Sequence, residues 1–91
     1  MSDENIKSLS SDQLKTRAKR FVCQMIDLHR VSSGRDPGDV VRYAEPILRE
    51  LASRREADAR DFIHSLAREA HGVPSFSSLC EALLRDLEAP S

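Results

Sequence analysis

The stretch Leu66-Ala-Arg-Glu-Ala-His-Gly-Val-Pro-Ser-Phe-Ser-Ser-Leu-Cys-Glu-Ala-Leu-Leu-Arg-Asp-Leu87 holds two apolar stripes at helical spacing, separated by a glycine and a proline. Such a unit is either a base-reading helix-turn-helix or two helices of a small bundle joined by a tight turn. A base-reading unit needs an apolar residue that locks its second helix to the first, and donors on that helix that reach base edges. Ala67, Gly72 and Val73 fit the pattern, but His71 adds a residue before the glycine and the locking position falls on Ser78. From Ser75 to Glu88 the second helix carries Glu81, Asp86 and Glu88 against Arg85 alone, so it would approach phosphates with repulsion. The segment therefore reads as a helical hairpin. Gly72 is expected as the left-handed stop of its first helix, Pro74 as the bar to resumption, and Ser75, or Ser78 with Glu81, as the cap of its second.

Working back from there, Ala59, Phe62, Ile63, Leu66, Ala67 and Ala70 form the stripe of that first helix, preceded by a polar hinge at Arg54-Arg-Glu-Ala-Asp58. Before the hinge, Val40, Val41, Tyr43, Ala44, Ile47, Leu48 and Leu51 mark another helix, opened by Asp36 as N-cap and Pro37 at the first helical position. Pro46 falls inside it, which predicts a helix kinked or split there, because proline lacks the donor and crowds the preceding turn. Ser32-Ser-Gly-Arg-Asp-Pro-Gly38 is the clearest break in the chain. Earlier still, Ser10 and Gln13 fit a capping box, and Leu14, Ala18, Phe21, Met25 and Leu28 alternate steps of four and three, with Val22 and Ile26 widening the stripe. That predicts a helix over 11–31 after a flexible polar tail at 1–10. The expected fold is all-α: about four helices arranged as two αα-hairpins in a single domain over 11–89. Tyr43–Leu51 echoes Leu79–Leu87 at an offset of 36 residues, but amphipathic helices built from Leu, Ala, Glu and Arg resemble one another without duplication.

A chain of 91 residues holds one domain, and three glycines and four prolines with 40% hydrophobic residues suit helices rather than disorder. The net charge of -1 conceals an uneven spread. Lys15 to Arg35 carries six basic residues against Asp27 alone, whereas the remainder of the chain is acidic. Neither Cys23 nor Cys80 belongs to a CxxC pair, and both sit in helical sequence, so reduced and mostly buried thiols are expected. Without a signal peptide or a long apolar run, the expectation is a cytoplasmic protein with no membrane contact. The excess of arginine over lysine suits a GC-rich bacterial genome as readily as a binding role.

The local signatures of catalysis are missing: there is no glycine-rich phosphate loop, no GxSxG elbow and no HExxH. His64 and His71 are seven residues apart rather than the three or four that pair metal ligands on one helix turn. Carboxylates such as Asp58 and Asp61 lie among arginines, as on a solvated face. The expectation is a protein that is not an enzyme and uses no cofactor or metal.

What remains is contact with a partner. Wide apolar arcs on every helix of so short a chain suggest more hydrophobic surface than the bundle covers, and the heptad-like steps of the first long helix make it the best pairing element. The expected contact residues are Leu14, Lys15, Ala18, Lys19, Phe21, Val22, Met25, Ile26 and Arg30. The expected function is that of a small adaptor or regulator that binds either itself, as a homodimer, or an acidic amphipathic segment of another protein. The alternative is a DNA-associated regulator using the basic first helix. Against it, Lys15, Lys19 and Arg30 lie on one flank and Arg17 and Arg20 on the other, and few aromatic residues exist to stack on bases.

Overall fold

The computed structural model describes residues 4–31 and 37–89, and every regular element among them is a helix. The elements are α1 (Glu4–Ser8), α2 (Ser11–Val31), α3 (Gly38–Arg54), α4 (Ala59–Glu69) and α5 (Pro74–Glu88). The protein is all-α, with five helices among the described residues rather than about four, because a short helix precedes the long ones.

α2 begins where the capping box places it. The Gln13 amide donates to Ser10 Oγ at 3.2 Å and the Ser10 amide donates to Gln13 Oε1 at 2.9 Å, so each residue satisfies the other's exposed donor. α3 sits at the centre, packed against α1, α2, α4 and α5. Near one end of the α2–α3 pair the Arg54 guanidinium donates to Ser11 Oγ, and near its middle Phe21 and Ile47 share a groove, so the two helices run antiparallel. Leu14, Ala18, Val22 and Met25 of α2 meet Ala44, Leu48 and Leu51 of α3, with Ile63 and Leu66 from α4 and Phe76, Cys80 and Leu83 from α5. No polar or charged side chain among the described residues is buried with them. Each fully buried Leu, Ile, Met or Phe contributes about 1.5–3 kcal/mol. The radius of gyration, 12.8 Å, is close to the roughly 12 Å of a compact chain of this length.

Pro46 lies within α3 and does not split it. The residue is exposed, so the backbone bond that it removes is lost on the solvent side, where the freed carbonyl is accessible to water. The expected N-cap Asp36 lies outside the described residues. Pro37 occupies the cap position itself, with its carbonyl accepting from the Val40 and Val41 amides at 3.1 and 3.2 Å.

The turns differ from expectation in three places. Gly72 does not adopt the left-handed conformation, since α4 ends at Glu69 and the Val73 amide closes the turn by donating to the Ala70 carbonyl at 3.0 Å. The left-handed residue is Arg55, at φ 50°, which ends α3 with its amide on the Ala52 carbonyl. Pro74 opens α5 rather than only barring α4, because a proline at the first helical position gives up no hydrogen bond. Neither Ser75 nor Ser78 is the cap; Val73 holds that position.

The expected polar tail contains α1. Ile6 and Leu9 pack against the core, and Arg54 donates to the Leu9 carbonyl at 2.7 Å and the Lys7 carbonyl at 3.3 Å. No periodicity could announce a helix of five residues, because its order comes from contact with residues more than forty positions away.

Candidate protein-interaction surface

One helix turn of α2 advances about 3.6 residues, so the core arc Leu14, Ala18, Val22 and Met25 leaves a flank on either side. These four residues are 0–1% exposed and are filled by the protein's own α3, α4 and α5. Of the nine residues expected to meet a partner, they are therefore interior. Phe21 and Ile26 are half-buried at opposite edges of the arc, Lys15 is half-buried, and Lys19 and Arg30 are exposed.

The first flank faces α4. Lys15 forms an ion pair with Asp58, just before α4, and the Lys15 and Lys19 ammonium groups lie 5.7 and 6.0 Å from the centre of the Phe62 ring. Cations at that distance are drawn to the ring face. The hydrogen bond to Asp58 holds the Lys15 ammonium above its ordinary pKa, and the same bond holds the Asp58 carboxyl below its own. Ser11 Oγ donates to Glu56 at 2.6 Å nearby. This flank is committed to the fold.

The second flank faces outward beside α3. Arg17, Arg20, Phe21 and Gln24 border an open groove of about 330 Å³ whose far wall is Ile47. Arg17 and Arg20 are exposed and make no ion pair among the described residues, whereas Lys15, Arg49, Arg54 and Arg60 all do. From Phe21 the α2 wall continues at steps of three and four through Gln24 and Leu28 to Val31. On the antiparallel α3 wall, Tyr43 stands one turn from Ile47. Leu28, Val31 and Tyr43 are 44%, 80% and 68% exposed and are the large apolar side chains that the described residues leave to solvent.

Both Leu28 and Tyr43 were expected on core stripes. The buried arc of α3 runs through Val41, Ala44, Leu48 and Leu51, and Tyr43 lies beyond its edge and is exposed. A wide apolar stripe does not distinguish a residue covered by a neighbouring helix from one beside it. The large apolar side chains left exposed among the described residues thus fall on α2 and α3 alone.

The two cysteines part company. Cys80 is buried, and burial pushes its thiol up to about 12. Cys23 is exposed, correcting its expected burial, because it lies about 100° past the core residue Val22 and faces solvent near Thr16, Lys19 and Arg20. His64 and His71 are exposed. Among the described residues, no three His, Cys, Asp or Glu side chains gather as a metal site, and no helix is long and apolar enough to cross a membrane. His29, at the far end of α2, packs its ring against the α4–α5 turn, where a Cβ on Gly72 would lie 3.4 Å from Nε2. Sequence reasoning missed that contact, which lies at ordinary van der Waals distance and so leaves room for a side-chain carbon at Gly72.

No protein-family model, curated protein or solved structure matches the chain.

Proposed function

We propose that this protein is a small helical protein-interaction module, an adaptor or regulator whose contact surface is the outer groove between α2 and α3. The observation that carries the reading is that the large apolar side chains left exposed among the described residues, Leu28, Val31 and Tyr43, all lie on α2 and α3, the helices whose groove is bordered by Arg17 and Arg20, and these two arginines make no ion pair among the described residues. Exposed apolar side chains gathered at a groove are the usual floor of a contact, and charge at its rim selects the partner. The two-hairpin description belongs to the same proposal: α2 with α3 forms the recognition pair, and α4 with α5 backs it. The DNA-associated reading is weakened by the commitment of Lys15 and Lys19 to Asp58 and Phe62, which leaves a smaller basic surface for phosphate.

The test compares proteins captured by the immobilised full chain with those captured by a Leu28→Asp/Tyr43→Asp variant, and by an Arg60→Glu variant on the opposite hairpin, all verified as folded by circular dichroism. Loss of the same captured protein only in the groove variant supports the reading. Retention by the groove variant, or loss only with Arg60→Glu, contradicts it.

A further inference from the structure

Resting on that reading, we infer that the groove takes an acidic amphipathic helix, whose apolar stripe covers Phe21, Leu28 and Tyr43 and whose carboxylates meet Arg17 and Arg20. Three observations lead there. The first is charge. Arg17 and Arg20 border the groove on the α2 side and are exposed without an ion pair among the described residues, so carboxylates entering there gain partners without breaking any. Guanidinium groups also bind carboxylates in a two-pronged geometry that favours this choice over a neutral helix.

The second is shape. From Phe21 to Val31 the α2 wall spans ten residues, about 15 Å at 1.5 Å per residue, which matches roughly three turns of a partner helix. Apolar residues at i, i+3 or i+4, and i+7 on that helix meet a stripe with the same spacing. The third is the fold's own use of this side of α3. Ile47 and Arg54 are seven residues apart, so they share one face, and Arg54 donates to the Lys7 and Leu9 carbonyls at the end of α1. The protein itself thus packs a short helix at the Arg54 end of this face, whereas Tyr43, toward the other end, is exposed.

A second copy is a poorer occupant. Two molecules meeting groove to groove would bring four arginines that make no ion pair among the described residues into one interface, a like-charge repulsion that an acidic helix does not meet.

The probes are two fluorescent, hydrocarbon-stapled 18-residue helices with identical leucine stripes, one flanked by glutamates and the other by lysines, titrated into the full chain by anisotropy. The glutamate helix is expected to bind at least tenfold more tightly than the lysine helix, with affinity falling as salt rises. An Arg17→Glu/Arg20→Glu variant, folded by circular dichroism, is expected to reverse the preference. Equal binding of both helices, or a preference that the double variant leaves unchanged, overturns the inference. So does a dimer in light scattering that dissociates on Leu28→Asp, since the occupant is then a second copy. If neither helix binds while groove-dependent protein capture persists, the acidic partner is wrong and the interaction module stands; if capture is also absent, both fall.

Discussion

The two flanks of α2 carry similar cations in opposite circumstances. On one, Lys15 and Lys19 are held by Asp58 and the Phe62 ring; on the other, Arg17 and Arg20 border a groove with Phe21 and make no ion pair among the described residues. Counting basic residues along the helix would treat the flanks alike. The difference arises from what the rest of the chain packs beside each: α4 and its preceding hinge cover the first, whereas α3 only borders the second. A charged helix face therefore means stability on one side and availability on the other.

Cys23 offers the largest effect by which to sharpen this contrast. It lies on the solvent face beside Lys19 and Arg20, whereas Cys80 is buried with its thiol pushed up to about 12. With iodoacetamide at neutral pH, Cys23 is expected to react about a hundredfold faster than Cys80, because thiolate and access are both required. Mass spectrometry of quenched time points checks this. Equal rates would mean that α5 opens freely or that Cys23 is covered, and either would undo the assignment of faces.

The lysine flank predicts a smaller effect of pH on stability. Asp58 has a folded pKa below its ordinary value, so its contribution is present above the ordinary carboxylate range and lost as pH falls through the folded value. Lys15 has a raised folded pKa, so its contribution is present below the ordinary lysine value and lost as pH rises through the raised one. Asp58→Asn is expected to lower stability slightly at neutral pH and to flatten the acid limb of a urea-midpoint profile. The loss should shrink in about 0.5 M salt, since exposed pairs are screened. An unchanged acid limb would show that the pair contributes nothing to the committed flank.

Much of the helical framework was legible because its signals are local. The capping box at Ser10 and Gln13, the four-and-three steps from Leu14 to Met25, and the polar hinge before Ala59 each lie within a few residues of what they determine. The features that position the surface were illegible because they depend on distant neighbours. Whether Tyr43 is covered depends on where α2 lies, the closeness of Gly72 to His29 spans 43 residues, and α1 is ordered through Arg54. The left-handed residue was also misplaced, on Gly72 rather than Arg55, because glycine is the cheaper choice there but not an obligatory one. Among the residues expected at a contact, sequence pattern could not divide the faces of α2: it included Leu14, Ala18, Val22 and Met25, which are interior, and passed over Leu28, which is exposed.

The most direct test neutralises the flanks separately and reads stability and binding together. Arg17→Gln/Arg20→Gln is expected to weaken binding of the glutamate-flanked helix at least tenfold while the melting temperature stays unchanged. Lys15→Gln/Lys19→Gln is expected to lower the melting temperature by a few degrees and to change binding little, since each 1 kcal/mol shifts the melting point of a domain this size by roughly 4–8 °C. The reverse pattern, with the lysines controlling binding and the arginines controlling stability, would contradict the division of α2 into a structural flank and an available one.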